Sequence, residues 1–338
     1  MLFSHAILWI TTLLLPCFVA AHSGNSTISP RAAGSFANPL KKSDGSDPFI
    51  VYSGGYYYFM TTTWTNLVLT RSKTLEGLKT GETKVVYGPG PDVCCNFWAP
   101  EIHDIDGTWY IYFTAGQKAD LGFQRPYALK GTSNPWGSYK GVSRLTNEWG
   151  IDGTVSVINS KRYFIWSCQR DRLQSLCIAR MTAPDKLAET HLISQPTNGW
   201  EKMQGKLPVN EGPAVLKRGN KVFITFSASF CWTTDYSLGL LTLKNGQDPL
   251  QMASWAKTGP VFKSANKNFG PGHNGFFDTP DKKEVWNVYH ATANPQGTCD
   301  GNRYTMAEKV NWKADGMPDF GAPSALYTQM LVPSGEMG

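Results

Sequence analysis

Along this chain, short runs of aromatic and β-branched residues alternate with turn-forming Gly, Asn and Asp. No long stretch sustains the 3.6-residue apolar period of an amphipathic helix. Five runs share one form, an aromatic-rich strand ending in small or hydroxyl residues: Tyr56 to Thr62, Trp109 to Ala115, Arg162 to Ser167, Val222 to Ala228 and Val285 to Ala291. They recur about every 50 to 60 residues, and such self-similarity marks a repeat architecture. Turn signals such as Ser53-Gly54-Gly55, Asp106-Gly107-Thr108 and Arg218-Gly219-Asn220 precede most of them, with another short strand before each turn, so the unit is a hairpin. A four-stranded blade takes about 40 to 50 residues, and five hairpins with their outer strands and loops account for the mature chain. The pattern predicts an all-β, single-domain, five-bladed β-propeller over residues 39–334. A two-sheet β-sandwich does not require this repeat, and an α/β barrel would need the missing helical period.

The N-terminus changes the picture of where the protein works. The apolar run from Ala6 to Val19 is too short to span a bilayer and ends in small residues, which predicts a signal peptide over 1–21 cleaved after Ala21, although its n-region lacks Lys and Arg. Residues 22–38, rich in Ser, Gly, Asn and Ala, predict a flexible lead-in containing a glycosylation sequence, Asn25-Ser26-Thr27. No later run resembles a membrane span, so a secreted, extracellular protein without membrane association is expected, and a monomer. Loss of Cys17 with the signal leaves six cysteines, which permit 15 connectivities. Cys168 with Cys177, flanking a polar turn, and Cys231 with Cys299, each following an aromatic-rich strand, are the candidate pairs. Cys94 and Cys95 then remain as a vicinal pair or as two free thiols. The net charge of +6 is scattered without a basic stripe, which argues against nucleic-acid binding.

Candidate chemistry lies where the inner strands begin. Their openings are Asp47-Pro48-Phe49, Glu101-Ile102-His103, Asp152-Gly153-Thr154, Glu211-Gly212-Pro213 and His273-Asn274-Gly275. The first strand of each blade lines the central channel, so four acids and one histidine are expected to converge at one end of the axis. Burying carboxylates together is costly unless they are bonded, paired with cations or kept partly wet by function. Glycosidic cleavage has a use for such a cluster: one carboxyl protonates the leaving oxygen and a second activates water, the two standing about 6.5 to 9.5 Å apart. A third would hold the acid's pKa up by repulsion.

In Ser46-Asp47-Pro48-Phe49, Phe97-Trp98-Ala99-Pro100-Glu101, Ile151-Asp152-Gly153 and Asn210-Glu211-Gly212-Pro213, taken in order, the chain resembles glycoside hydrolase family 43 and, within it, exo-acting α-L-arabinofuranosidases. The resemblance implies an inverting mechanism with Asp47 as general base, Glu211 as general acid and Asp152 orienting Glu211 and raising its pKa. It places His273 on the axis, where the family often has a water-coordinated calcium or other ion. The chemistry itself requires no cofactor, and one histidine without dense Asp/Glu spacing is poor support for a hard-cation site. Arg303 matches an arginine reaching the sugar, against the plainer reading of a surface ion pair. Trp64, Phe97, Trp98, Phe230 and Trp232 near the strand mouths are candidates for stacking on sugars, although most aromatics must serve the core. The implied substrates are plant cell-wall polysaccharides or oligosaccharides, arabinan or arabinoxylan, attacked at their ends. Bulky segments at 88–98 and 229–235 favour a closed pocket. Endo-arabinanase and β-xylosidase share the same acids, and a non-catalytic sugar-binding propeller is the competing class.

Overall fold

The computed structural model describes residues 34–91 and 93–337. The predicted signal peptide, most of the lead-in and the Asn25 acceptor lie outside the described residues. Four antiparallel four-stranded sheets and one three-stranded sheet form five blades. Their inner strands are Phe49–Ser53, Cys95–Ile105, Gly150–Ile158, Asn210–Arg218 and Phe269–Asp278. Each contacts the next, and the fifth contacts the first, so the ring is closed. The second strands are Tyr56–Met60, Thr108–Gly116, Lys161–Arg170, Lys221–Ala228 and Val285–Thr292, matching the five repeats. Among the described residues, helix is limited to five short 3-10 turns, and no helix is long and apolar enough to cross a membrane. The hairpins turn as their composition predicts: Gly54 and Gly55 both have positive φ (56° and 84°), the geometry that suits the twist of paired strands.

The second strands are apolar without a break because both faces of a blade are covered. Successive side chains point to opposite faces, so Tyr57 enters the seam between blades five and one while Tyr58 enters the seam between one and two. Tyr112 and Phe113, Phe164 and Ile165, Phe223 and Ile224, and Val288 and Tyr289 divide in the same way among five apolar clusters. Each seam is a separate small core, and no single centre holds the fold.

The fifth blade corrects two expectations. It has three strands, the third being Tyr304–Lys309, and a segment from the start of the chain runs along its outer edge in place of a fourth. Leu40 N–H donates to the Thr305 carbonyl (2.8 Å), Thr305 N–H to Lys41 O (2.9 Å) and Gly45 N–H to Arg303 O (3.0 Å). Asn38, expected in the flexible lead-in, is buried and holds both polar atoms of Ala307: its Nδ2 donates to the carbonyl at 3.0 Å and its Oδ1 accepts the N–H at 2.9 Å. Ser35–Ala37 pairs in turn with Gln329–Leu331. Ordered structure therefore begins before residue 39, because closing the ring needs those residues. Disulfides join Cys94 to Cys95, Cys168 to Cys177 and Cys231 to Cys299, the last tying a loop of blade four to one of blade five.

Asn38→Ala strips the partners from a buried N–H and a buried carbonyl. The expected cost is about 1–3 kcal/mol of unfolding free energy in a denaturant titration. A loss within about 0.5 kcal/mol, the range of an ordinary surface change, would show that other contacts close the ring.

Candidate active site

At the axial mouth of every inner strand one residue adopts the left-handed conformation: Asp47 (φ 55°), Ala99 (45°), Asp152 (59°), Gly212 (54°) and His273 (40°). In blades two to five the ladder slips there, between Trp98 and Glu101, Ile151 and Thr154, Glu211 and Ala214, and Gly272 and Gly275. Bulges of this kind re-aim a side chain that a regular strand would point elsewhere. For non-glycine residues the conformation costs of order 1–3 kcal/mol and persists only where the surroundings fix it. The fixing group is supplied by the end of the second strand of the preceding blade. Thr62 Oγ1 accepts the Ala99 N–H (2.8 Å), Thr114 Oγ1 that of Asp152 (3.1 Å) and Ser227 Oγ that of His273 (2.6 Å). At the closing seam the acceptor of the Asp47 N–H is His290 Nδ1 (3.0 Å). Gly212 is the exception, donating to Asp152 Oδ2 (3.1 Å) while Ser167 donates to the Asn210 carbonyl.

This frame brings Asp47, Asp152, Glu211 and His273 together. His273 Nδ1 lies 3.0 Å from Asp47 Oδ1 and 3.7 Å from Asp152 Oδ2. Burial alone would lower the pKa of His273, but the charges of Asp47 and Asp152 outweigh it and raise it to about 10, so the ring is an imidazolium at neutral pH. Burial works against ionisation of Asp47 too, yet the charge and hydrogen bond of His273, with help from Arg303, hold its carboxyl below the ordinary range. Thr62 Oγ1 donates to its Oδ2 at 2.5 Å. Asp152 is pushed the other way, up to about 8, chiefly by burial, with Glu211 and Asp47 adding and His273 opposing. Burial also raises Glu211, although Tyr236 donates to its Oε1 (2.8 Å) and Gln174 to its Oε2 (2.7 Å). One environment thus keeps Asp47 ionised and favours a proton on Glu211. Asp152 reaches Glu211 through the N–H of the next residue, Gly212, and not by a direct bond.

Other expected residues divide between the site and the core. Arg303 is buried and makes no surface ion pair: its Nε donates to Thr298 O (2.8 Å), its Nη2 to Cys231 O (3.2 Å), and the guanidinium lies over the Tyr236 ring at 5.3 Å. It clamps the disulfide-bearing loops while its charge acts on Asp47 and Glu211. Trp64, 47 % exposed, meets Trp98 edge-on at 5.1 Å, and Trp232 is 50 % exposed. Phe97 does not face the mouth. It is fully buried and stacks on Phe113 at 5.7 Å, because strand alternation turns it opposite to Trp98. Glu101 bonds to His103 (2.7 Å), two residues past left-handed Ala99, which takes the axial place the acid was expected to fill. A cavity of about 430 Å³ opens beside His103, lined also by Phe49, Val155 and Phe276, with none of the four clustered residues in its wall. Near His273 the donor set does not fit an all-protein ion cage: Nδ1 is engaged by Asp47, and among the described residues no group of three or more His, Cys, Asp or Glu is placed to hold a metal. Gln174, Tyr236, Thr62 and His290 were not anticipated. Aligning the five repeats exposes Thr62 and His290, which share one register position, whereas Gln174 and Tyr236 carry no local signal.

Residues 36–318 match the family described as glycosyl hydrolases family 43. An extracellular exo-α-(1→5)-L-arabinofuranosidase of Streptomyces avermitilis is 38% identical over 312 residues, 86% of this chain and 64% of the relative. The α-L-arabinofuranosidase 43 of Humicola insolens is 36% identical over 82% of this chain and 62% of its own. This chain thus spans a little under two thirds of the length of those relatives. A crystal structure of an α-L-arabinofuranosidase from Lactobacillus brevis superimposes with a TM-score of 0.79 at 32% identity, covering 87% of this chain and 98% of that one.

Replacing His273 by Gln removes the cation that keeps Asp47 ionised, so the pKa of Asp47 should rise, followed by carbon NMR titration of its carboxyl. An Asp47 that still titrates below the ordinary aspartate range would mean that Thr62 and Arg303 suffice without the imidazolium.

Proposed function

The chain belongs to glycosyl hydrolase family 43, and on that premise we propose that it releases terminal α-L-arabinofuranosyl units from arabinan or arabinoxylan by inversion. The observation that carries the reading is the opposite displacement of Asp47 and Glu211: paired titratable groups whose surroundings drive their pKa values apart mark an acid and a base. Asp47, held as carboxylate by the His273 imidazolium, takes a proton from water as that water attacks the anomeric carbon. Glu211 gives its proton to the departing glycosidic oxygen. The positive charge that develops on the sugar ring in an oxocarbenium-like transition state faces the carboxylates. Asp152 fixes the Gly212 N–H and with it the backbone that aims Glu211. Activity then needs Asp47 deprotonated and Glu211 protonated, so a bell-shaped profile is expected. Its acidic limb belongs to Asp47 and its alkaline limb to the coupled Glu211 and Asp152.

Attack at chain ends is supported by the rim. The Cys231–Cys299 bridge, clamped by Arg303, ties blades four and five together, and Trp64 with Trp98 stands on blades one and two. Such walls suit a pocket that admits one terminal sugar more than a groove open at both ends. The names of the relatives supply the substrate class. Secretion is supported by three disulfides, which persist in oxidising compartments.

Asp47→Asn and Glu211→Gln should each lower turnover about 10²- to 10⁴-fold with the fold retained, as judged by circular dichroism. Aryl arabinofuranosides with good leaving groups should partly restore Glu211→Gln and leave Asp47→Asn impaired; the reverse pattern would exchange the two roles. On linear arabinan the first product should be arabinose alone, measured by chromatography of early time points. Early oligosaccharides with a rapid fall in viscosity would instead identify an endo-arabinanase.

A further inference from the structure

The contact made by His290 exceeds what the fold asks of that position. In the ladders of blades two to five, Thr114 pairs with Trp98, Ser167 with Ile151, Ser227 with Glu211 and His290 with Gly272. These four residues, with Thr62 in blade one, occupy one structural position. Four of the five are hydroxyl residues, and three of those satisfy the left-handed N–H of the next blade. Only at the seam between the last blade and the first does an imidazole take their place, and the residue it holds is Asp47.

The protonation state of His290 follows from that bond. Nδ1 accepts the Asp47 N–H, so its lone pair is committed and the ring proton sits on Nε2. The 3.5 Å approach of Nδ1 to Asp47 Oδ1 is therefore not an ion pair. Burial, with Arg303 nearby, also disfavours an imidazolium here. The side chain is fully buried, its ring stacks on Tyr236 at 5.7 Å and 11°, and Nε2 has no hydrogen-bond partner among the described atoms. An unpartnered buried donor costs about 1–3 kcal/mol, a cost that a serine or threonine would avoid. What the imidazole adds is a rigid acceptor with longer reach, delivered to the backbone of the acid.

Three groups hold Asp47: Thr62 on Oδ2, His273 on Oδ1 and His290 on the N–H. The first two fix the carboxylate relative to its neighbours, and the third fixes the strained backbone from which the side chain departs. We propose that His290 is a positioning residue for the general base, locking the left-handed backbone of Asp47 through Nδ1 and so registering the seam of the ring on the reacting carboxylate. The proposal rests on the reading of Asp47 as the base.

Two substitutions separate acceptor from packing. His290→Phe keeps the ring and its stack on Tyr236 but accepts no hydrogen bond, whereas His290→Asn keeps an acceptor at the place of Nδ1 and loses the ring. A misplacement of the base by about 1 Å costs on the order of 100-fold, so His290→Phe should lose about that factor in kcat with KM little changed. The loss should be equal on aryl arabinofuranosides with good and poor leaving groups, because the defect is on the side of the water. His290→Asn should recover most of the rate. Full activity in His290→Phe with loss in His290→Asn would overturn the proposal in favour of packing, and so would a loss that good leaving groups rescue. Nitrogen NMR of the wild-type imidazole gives a test independent of variant folding: Nδ1 should be unprotonated and Nε2 protonated, and a protonated Nδ1 would overturn the proposal. An active Asp47→Asn would sink the base reading itself, whereas an inactive Asp47→Asn beside a fully active His290→Phe sinks only this inference.

Discussion

A left-handed residue at the axial end of a strand presents an N–H that its own ladder does not take up, and the blade before it supplies the acceptor. All five mouths are bound in this way: at four the acceptor stands at the end of the second strand, and at Gly212 it is the Asp152 carboxylate of the inner strand. The geometry of the site is thus a property of the seams between blades. Each seam is also an apolar core of its own, so the packing that closes the ring is the packing that sets the distance between one functional side chain and the next. The N-terminal segment along Tyr304–Lys309 completes the most demanding seam, where the chain must meet its own beginning beside Asp47.

Once three carboxyls share one end of the channel, they cannot all be ionised in a dry place. A single imidazolium resolves this unequally. His273 is closer to Asp47 than to Asp152, so Asp47 keeps its charge, while at Asp152 burial outweighs the same imidazolium and favours a proton. Glu211 stands at the next mouth, wrapped by Tyr236 and Gln174, and burial dominates there. An ionised carboxylate and a proton-holding one therefore arise from three chemically similar groups through placement alone.

Much of this was legible in the sequence. Repeat spacing identified the five blades, and the residue types at four mouths picked out Asp47, Asp152, Glu211 and His273, because a polar residue opening a channel-lining strand has few other reasons to be there. Glu101 was misplaced by the same rule: in blade two the left-handed axial place falls on Ala99, two residues before the acid, and an alanine there carries no polar signal. Phe97 failed for a simpler reason, since in a motif of adjacent aromatics alternation buries one and exposes the other. Tyr236, Gln174 and the role of Asn38 depend on contacts between residues far apart in the chain, which no local pattern carries.

With Asp47 as base, water reaches the face of the sugar opposite the proton held by Glu211. Proton NMR of the first arabinose released from an α-arabinofuranoside, recorded before mutarotation, tests it most directly. Inversion yields the β-anomer as the initial product. Initial release of the α-anomer would mean that a carboxylate attacks the sugar itself, and would contradict the assignment of Asp47 as a base.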